Sequence, residues 1–446
     1  MKVIVSHNGK QHVNALLIGL ARHGVLSVFF TGLATNKLRF IRFLKRKWQA
    51  KFQKRAFTGI DNDQIKHFPI IALLTNCLKS EYWRTFIAYK WFDKSVAQRL
   101  KYADFDIVIG YENINLHSFK VAKQRGKTTV LDMAAIHHNF QNPILTQLGT
   151  YEHTEQLNRI CAQKEEALTY TDYILTLSSF AEYTLIQSGF PSERIFKTYL
   201  GVNQAVFTPK TQYNVLGFES RVLSSDNSKT LTQNSKPETQ NASNTEGSSF
   251  ELDELKTQNS KPKTPIFELY FVGLMTTRKG IPFLLDIHKT LLERGLNVRL
   301  TLIGPVDDFT PPTEETPHYR YFSFLNHVEL VKMHHDLDLF LFPSYLDSWG
   351  QVVIESMACG SPVIVSSATG AKDAVRQGGG RILPVDDLAL WVAAVEMFYY
   401  DRFLLKEIGQ EAAKIAQNYT WEAYQQQVFE ALQSISNKRV KEGQSV

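Results

Sequence analysis

Residues 342–364 read FPSYLDSWGQVVIESMACGSPVI, and this segment predicts the fold of the second half of the chain. The apolar run 337–342 predicts a buried strand, which leads through a turn into a helix near 350–358. Asp347 or Ser348 can cap the start of that helix, because both side chains accept hydrogen bonds from free backbone N–H groups. A strand, a loop and a helix in this order form the repeating unit of a parallel α/β sheet.

The same order of elements recurs earlier in the chain, in both of its halves. Residues 2–6 predict a buried strand, followed by a polar glycine loop at 7–12 and an amphipathic helix that ends at Gly24. Residues 267–273 begin a second series of strands and helices. We therefore predict an α/β fold with two Rossmann-like domains that face each other across a cleft.

Residues 210–265 differ in composition from the rest of the chain. They are rich in Ser, Thr, Asn, Gln and Lys, and the hexapeptide TQNSKP occurs at 232–237 and again at 257–262. Such a segment buries too little apolar surface to offset the entropy lost on ordering it. We expect a disordered insertion between an N-terminal domain at 1–209 and a C-terminal domain at 266–420.

Composition and length limit the class of protein. The chain has 446 residues, of which 43% are hydrophobic and 21% charged, and these values are typical of globular proteins with two or three domains. No run reaches the roughly 18 apolar residues of a membrane span, and the start turns polar too early for a signal peptide. Three cysteines without metal-ligand spacing predict a reducing compartment, so we expect a cytoplasmic protein.

Positive charge is concentrated near the start of the chain. Residues 1–100 hold 18 Lys and Arg but only 4 Asp and Glu, and aromatic residues alternate with cations at 37–55. Such a segment can bind an anionic membrane surface, which would place the protein on the inner face of the membrane. The alternative is a solvated, partly packed helix. We expect no nucleic-acid partner, because no recognition motif accompanies the basic residues.

Two loops of the second half carry residues suited to a nucleotide sugar. Free N–H groups at the start of the helix near 350–358 would point into the crevice where phosphates bind in open α/β sheets. Glu355 lies on the first turns of that helix, where its carboxylate can accept hydrogen bonds from a sugar diol. Arg278 and Lys279 follow the strand at 267–273 and could neutralise a diphosphate. Together, the acidic and the basic loop favour a nucleotide-sugar site.

The residues above resemble those of a known family, the retaining GT-B glycosyltransferases of family 4. The segment 343–364 is similar to that family's signature, in which two acids flank seven residues and a Met-Ala-Cys-Gly-x-Pro-Val-Ile run follows. Residues 273–280 resemble its diphosphate loop, and residues 199–209 resemble its domain junction. A returning helix at about 421–436 would pack on the N-terminal domain, before a tail at 437–446.

The resemblance implies a role for each matching residue. Glu355 would bind the donor ribose, Asp347 would contact the transferred sugar, and Lys279 with Arg278 would hold the diphosphate. The remaining donor-binding residues that it implies are Gly273, Trp349, Gly350, Gln351, Phe324 and Leu325. It also implies transfer to a glycan or lipid-linked acceptor, as in polysaccharide biosynthesis, with retention of configuration. No cofactor and no metal would be needed, because the cations supply the charge.

The acceptor side of the site is less defined by the sequence. Gly9 and His12 lie in the first loop, and Asp132 ends a middle strand of the N-terminal domain. His137 and His138 follow that strand, and the sequence does not choose between them. Two other functions stay open: a nucleotide-sugar epimerase or hydrolase of the same fold, and a non-catalytic membrane or scaffold protein that uses residues 37–55.

Overall fold

The fold is described from a computed structural model, which covers residues 1–9, 12–35, 56–152, 154–210 and 265–443. The predicted basic segment at 37–55 lies outside these residues. So does nearly all of the predicted insertion, from 211 to 264.

The first domain contains a seven-stranded sheet in which all neighbouring strands are parallel, in the order β3-β2-β1-β4-β5-β6-β7. Its strands are β1 (Val3–Ser6), β2 (Leu26–Thr31), β3 (Ile65–His67), β4 (Ile107–Tyr111), β5 (Thr128–Met133), β6 (Tyr173–Thr176) and β7 (Ile195–Lys197).

The second domain contains a six-stranded parallel sheet in the order β10-β9-β8-β11-β12-β13. Its strands are β8 (Phe267–Val272), β9 (Val298–Ile303), β10 (Tyr319–Phe322), β11 (Leu339–Phe342), β12 (Val363–Ser366) and β13 (Gly380–Leu383). All six residues of β8 are buried, as expected for a central strand with helices on both faces of its sheet.

Helices connect the strands, so that each crossover covers one face of a sheet. In the first domain they are α1 (Val13–Arg22), α2 (Pro69–Cys77), α3 (Glu81–Trp83), a π-helical turn (Arg84–Tyr89), α4 (Lys90–Leu100), α5 (Leu116–Gln124), α6 (His138–Gln147), α7 (Glu155–Thr169) and α8 (Ser179–Gln187). In the second they are α9 (Ile281–Glu293), α10 (His327–Asp336), α11 (Gln351–Ala358), α12 (Lys372–Val375), α13 (Leu388–Tyr400), α14 (Arg402–Ala416) and α15 (Trp421–Gly443). Short 3-10 turns lie at Asn62–Gln64, Ser192–Arg194 and Thr277–Lys279.

Each sheet has one point where the strand order reverses. In the first sheet this point lies between β1 and β4, and in the second it lies between β8 and β11. Loops that leave neighbouring strands in opposite directions open a crevice there, and ligands of open α/β sheets bind in it. The two loops in which the sequence predicts a nucleotide-sugar site follow β8 and β11, so they flank this crevice in the second sheet.

The two domains meet through loops at the carboxyl ends of both sheets. Ser348, in the loop after β11, donates from its Oγ to the carbonyl of Ala134 at 2.7 Å. Its own carbonyl accepts from Ser178 Oγ at 2.6 Å, and Ser179 N donates to Asp373 at 2.6 Å. The prediction of two Rossmann-like domains is thereby confirmed.

The last helix, α15, returns to the first domain and packs along α1. Tyr424, Val428 and Leu432 of α15 are buried with Leu16 and Leu20 of α1 in one apolar cluster. The helix continues to Gly443, so it extends past the predicted end at 436 into the predicted tail.

None of the helices within the described residues is long and apolar enough to span a bilayer.

Gly280 holds the loop after β8 against the loop after β11. Its φ is +75°, and a Cβ there would overlap the carbonyl of Pro343. We predict that Gly280→Ala lowers the free energy of unfolding by at least about 3 kcal/mol, because both the left-handed backbone and the clash oppose it. Gly295→Ala is the matched control, with φ +78° and no atom within 4 Å, and should cost only about 1 kcal/mol. The free energy of unfolding in urea measures both effects. Equal losses for the two variants would contradict the close approach of Gly280 to Pro343.

Candidate nucleotide-sugar site

An ion pair joins the two loops at the reversal point of the second sheet. Lys279, at the end of the 3-10 turn after β8, pairs through its Nζ with Asp347 Oδ2 in the loop after β11. Both side chains are largely buried, each with 13% of its side chain exposed. The Lys279 ammonium also lies 5.1 Å from the ring centroid of Phe342, the last residue of β11. The predicted cation and the first predicted acid are therefore direct partners.

Neighbouring hydrogen bonds fix this pair in place. Arg278 Nη1 donates to the carbonyl of Leu346 at 2.6 Å, and the carbonyl of Arg278 accepts from Tyr345 N at 2.9 Å. Thr276 caps the 3-10 turn by accepting from Lys279 N at 3.1 Å. The two loops are thus bound to each other by backbone as well as side-chain groups.

Asp347 is ionised despite its burial. Burial opposes the charged form, but the Lys279 ammonium, its hydrogen bond and the Arg278 guanidinium outweigh that effect and hold the pKa of the Asp347 carboxyl below its ordinary value. Trp349 N also donates to Asp347 Oδ1 at 3.0 Å, which favours the carboxylate further.

Helix α11 begins after Gly350, whose φ of +85° places it in the left-handed region. The prediction that Asp347 or Ser348 is the cap residue was therefore wrong, because the turn needs a glycine at that position. Gln351, the first helical residue, donates from Nε2 to the carbonyl of Gly201 in the first domain at 3.0 Å. Trp349 is buried against Tyr199, with ring centroids 5.4 Å apart.

Glu355 lies one turn further along α11. Burial raises the pKa of its carboxyl to about 7, opposed by a hydrogen bond with Gln351. A carboxylate in this position gains from any ligand that supplies hydrogen-bond donors, since these replace the water that burial removes.

The other predicted donor residues lie around the same edge of the sheet. Gly273 directly follows β8, and its N–H donates to the carbonyl of Ile303 at 2.9 Å. Phe324 and Leu325 lie between β10 and α10; Phe324 is 77% exposed, whereas Leu325 packs partly against the core. An exposed aromatic ring beside a strand end is available for stacking on a flat ligand.

A cavity of about 430 Å³ lies at the reversal point of the first sheet. Its walls come from the loops after β1, β2 and β4 and from the helical segment at 81–89. The lining residues include His7, Gly9, Thr31, Thr75, Glu81, Arg84, Tyr89, Tyr111, Glu112 and Asn113. Within the part of the chain that the structure describes, His7 Nε2, Arg84 Nε and Asn113 Oδ1 are buried without a hydrogen-bond partner. Buried polar atoms of this kind mark a place where a polar ligand or water completes the site.

His12 is directed away from solvent, towards Asp132 at the end of β5. Its Nε2 lies 2.7 Å from Asp132 Oδ2, and both side chains are buried. Burial lowers the pKa of His12, but the Asp132 carboxylate outweighs it, so the pKa lies above the ordinary value. His7, which packs on Tyr111 at 4.2 Å between ring centroids, has its pKa lowered to about 4 by burial.

His137, the cap residue of α6, and His138, its first residue, follow β5 and are both buried. His137 Nδ1 is 2.8 Å from Ser188 Oγ, and His138 Nε2 is 3.1 Å from Glu165 Oε1. Burial, aided by the Lys164 ammonium, lowers the pKa of His137 to about 4 and that of His138 to about 3. With Glu165 they offer ligand atoms within 4.8 Å of one another, a grouping that could hold a metal ion. This grouping is separate from the Lys279–Asp347 pair, where the absence of a metal stays a prediction.

Most of the cavity residues were not found from the sequence, and Glu112, Asn113 and Arg84 illustrate why. Glu112 and Asn113 directly follow β4, and polar residues after a predicted buried strand are a signal that could have identified them. Arg84 lies in the helical segment at 81–89, and no local pattern in the sequence indicates that its side chain lines the cavity.

Residues 253–415 match the family described as Glycosyl transferases group 1. The chain is 28% identical over 205 residues to the capsular polysaccharide biosynthesis glycosyltransferase CapM of Staphylococcus aureus, a match that covers 44% of this chain and 53% of that protein. It is 30% identical over 166 residues to the D-inositol 3-phosphate glycosyltransferase of Corynebacterium efficiens, covering 34% and 39%. The chain thus spans about half, or less, of the length of these curated relatives. The predicted family resemblance is confirmed, and assignment to family 4 stays a prediction.

Two solved structures share the fold over nearly the whole chain. Sucrose-phosphate synthase from Thermosynechococcus elongatus superposes with a TM-score of 0.60 and 16% identity, covering 98% of this chain and 100% of that one. Anabaena HepE in complex with UDP gives a TM-score of 0.58 and 14% identity, covering 97% and 100%. Together with the two parallel sheets, these likenesses confirm the predicted GT-B fold.

The raised pKa of Glu355 predicts a pH-dependent loss of stability. In the unfolded chain this carboxyl ionises near pH 4.5, whereas in the folded protein it stays protonated up to about pH 7. Stability is therefore fully present below pH 4.5 and falls as the pH rises through 7. Compared with the wild-type protein at the same pH, Glu355→Gln should raise the free energy of unfolding by up to about 3 kcal/mol at pH 8, with little change at pH 4.5.

Urea unfolding at several pH values measures this difference. Glu293→Gln is the control, since Glu293 is exposed on α9 and pairs with the exposed Lys289 at 3.9 Å. If both variants followed the wild-type pH dependence, Glu355 would not be protonated near neutral pH.

Proposed function

We propose that this protein transfers a glycosyl group from a nucleotide-diphosphate sugar to an acceptor, with retention of anomeric configuration. The observation that carries the proposal is the buried ion pair of Lys279 and Asp347 beside Glu355, at the reversal point of the second sheet. The match of residues 253–415 to a glycosyltransferase family supports it, and so does the likeness to a fold solved with UDP in HepE.

The donor would occupy the crevice beyond β8 and β11. Glu355 accepts hydrogen bonds from the ribose hydroxyls, and these take the place of lost water around its carboxylate. The N–H groups at the start of α11 and the Lys279 and Arg278 cations face the diphosphate. Phe324 and Leu325 border the base, while Gly273 leaves room for the diphosphate to approach the backbone.

The reaction breaks the bond between the anomeric carbon and the diphosphate oxygen. Negative charge grows on the leaving oxygen and positive charge on the sugar, so preorganised cations on one side and Asp347 on the other lower the barrier. Lys279 can turn from Asp347 towards the diphosphate, because both are within reach of the same flexible side chain. Attack on the same face of the sugar lets the leaving phosphate take the acceptor proton. With Lys279 and Arg278 supplying the charge, we propose that the transfer needs no metal.

The acceptor would bind in the cavity of the first domain. Its walls present hydroxyl, amide and carboxylate groups together with unpartnered nitrogen atoms, a pattern that suits a hydroxyl-rich molecule. Gly9 lines this cavity, whereas His12 and Asp132 form the buried pair behind it. CapM is named for capsular polysaccharide biosynthesis. We therefore propose a glycan or lipid-linked glycan precursor as the acceptor class.

Removing the Lys279 ammonium should reduce turnover strongly. We expect Lys279→Met to lower kcat/KM for the donor about 100- to 1000-fold, as for the loss of one transition-state contact. It also leaves Asp347 buried without its partner, at a stability cost of about 3 kcal/mol. The double variant Lys279→Met/Asp347→Asn removes that unpaired charge, so it should recover stability but not activity. Lys289→Met, on the exposed side of α9, is the control, and normal turnover in the double variant would refute the role of this pair.

Removing the Glu355 carboxylate should abolish donor binding. Wild-type protein should be stabilised in a thermal-shift assay by UDP or GDP, and Glu355→Ala should lose that response while keeping its fold. Glu293→Ala is the matched surface control. In a donor screen with and without lipid acceptors, the sugar should appear on the acceptor. Release of free sugar, or a changed sugar still attached to the nucleotide, without any acceptor would show a hydrolase or an epimerase instead.

A further inference from the structure

The helical segment formed by α3, the π-helical turn and α4 carries a stripe of apolar side chains on its outer surface. Trp83, Ile87 and Trp91 follow one another at intervals of four residues, so they lie on one side of the helix. They are 49%, 40% and 48% exposed. By contrast, Trp349 and Trp391 of the second domain are fully buried.

The opposite side of the same segment is fixed in the core of the first domain. Thr85, Ala88, Phe92 and Val96 are buried there. Asp93 is also buried, and it accepts hydrogen bonds from the backbone of α5, including one from Ser118 N at 3.0 Å. The segment therefore cannot rotate to hide the stripe, and Trp83, Ile87 and Trp91 stay outside.

Helix α2 adds to this apolar surface. It packs against the π-helical turn, and its residues Ile70 and Leu73 are 70% and 66% exposed. We refer to Ile70, Leu73, Trp83, Ile87 and Trp91 together as the apolar ridge. An exposed group of large apolar side chains marks a surface that binds another apolar phase.

Basic residues outnumber acidic ones in the part of the chain that carries the apolar ridge. Residues 64–102 hold seven basic side chains: Lys66, Lys79, Arg84, Lys90, Lys94, Arg99 and Lys101. They hold two acidic ones, Glu81 and Asp93, and Asp93 is buried. Lys79 and Lys94 are exposed next to the ridge in sequence. The surface thus combines aromatic side chains with cations, and Glu81, which also lines the cavity, adds an exposed negative charge.

We infer that the apolar ridge binds the surface of an anionic lipid bilayer. Tryptophan rings favour the boundary between headgroups and acyl chains, where one end of the ring is apolar and the other is wet. Lysines beside them are attracted to anionic headgroups, and the mixture is typical of helices that lie in the membrane interface. A protein partner would need an acidic rim to match the same cations.

This placement also orients the first domain. Glu81, Arg84 and Tyr89 of the same segment line the 430 Å³ cavity, while Trp83 and Ile87 alternate with them on the outside. Binding through the ridge would hold the cavity next to the bilayer surface. The inference goes beyond the proposed function, because lipid binding needs neither donor nor transfer.

Vesicle sedimentation with the full chain tests it. Vesicles of phosphatidylcholine with phosphatidylglycerol should bind the protein, and vesicles of phosphatidylcholine alone should bind it much less. Trp83→Ser/Trp91→Ser should weaken binding to the anionic vesicles about tenfold or more. The control is Tyr400→Ser/Phe403→Ser, two exposed aromatic residues of the second domain, at 74% and 70% exposure, which should leave binding unchanged. All of these proteins share residues 37–55, so any contribution of that segment cancels in the comparison.

Each outcome decides the inference. Quenching of tryptophan fluorescence by brominated lipid should fall in Trp83→Phe/Trp91→Phe, which keeps much of the apolar surface and most of the binding. Equal binding of wild type and the serine variant would overturn the inference, as would equal binding to both kinds of vesicle. A dimer in light scattering that the serine variant breaks, without vesicle binding, would assign the ridge to a protein interface instead. The UDP thermal shift stays the same in every case, so the proposed function is judged separately.

Discussion

The arrangement of the second domain depends on one buried ion pair. The Lys279 ammonium is the main group that keeps Asp347 charged in its buried position, and the Arg278 guanidinium and Trp349 N add to its effect. The loop that carries Lys279 is held by Tyr345 and by the close approach of Gly280 to Pro343. The pair makes both loops interdependent, since removing either side leaves an unpaired charge in a poorly solvated place. If a diphosphate takes up the Lys279 ammonium, as in the proposed function, another positive charge must compensate Asp347. The positive charge that would develop on the transferred sugar in the transition state can provide this compensation.

The same loop connects the donor side to the first domain. Ser348 directly follows Asp347 and bonds to Ala134 and Ser178, while Gln351 bonds to Gly201. A shift of the Asp347 loop when a donor binds would therefore strain contacts between the domains. Closure of an active site excludes water from a reactive substrate. In this chain the loop that would face the proposed donor also carries the domain contacts, so the same loop would link donor binding to domain closure.

The sequence reveals the parts of this arrangement that are local. The strand, loop and helix at 342–364 could be predicted because an apolar run, a turn and a helical period follow one another within a few residues. The position of α11, predicted near 350–358, was correct, but its cap residue was wrong, because Gly350 in a left-handed conformation begins the helix and a polar side chain does not. Pairs such as His12 and Asp132, 120 residues apart, depend on the register of the strands that carry them, and no periodicity shows that. The apolar ridge was likewise hidden, since the sequence shows an aromatic-rich helix but not which of its sides the core covers.

The two reversal points share a topology but differ in their charged groups, and the proposed function gives each a substrate. Beside β8 and β11, Lys279, which is paired with Asp347, and Arg278 lie near the start of α11, and cations at a helix N-terminus favour a diphosphate. The cavity beside β1 and β4 is lined by the carboxylates of Glu81 and Glu112 and by one guanidinium, Arg84, while burial keeps His7 neutral at pH 7. Glu112 is paired with Lys164 at 3.3 Å, which offsets one of the two carboxylates. An uncharged hydroxyl group could donate to a carboxylate and accept from the guanidinium in this cavity. These charges are the reason why the proposed function places the anionic donor at the second sheet and a hydroxyl-rich acceptor at the first.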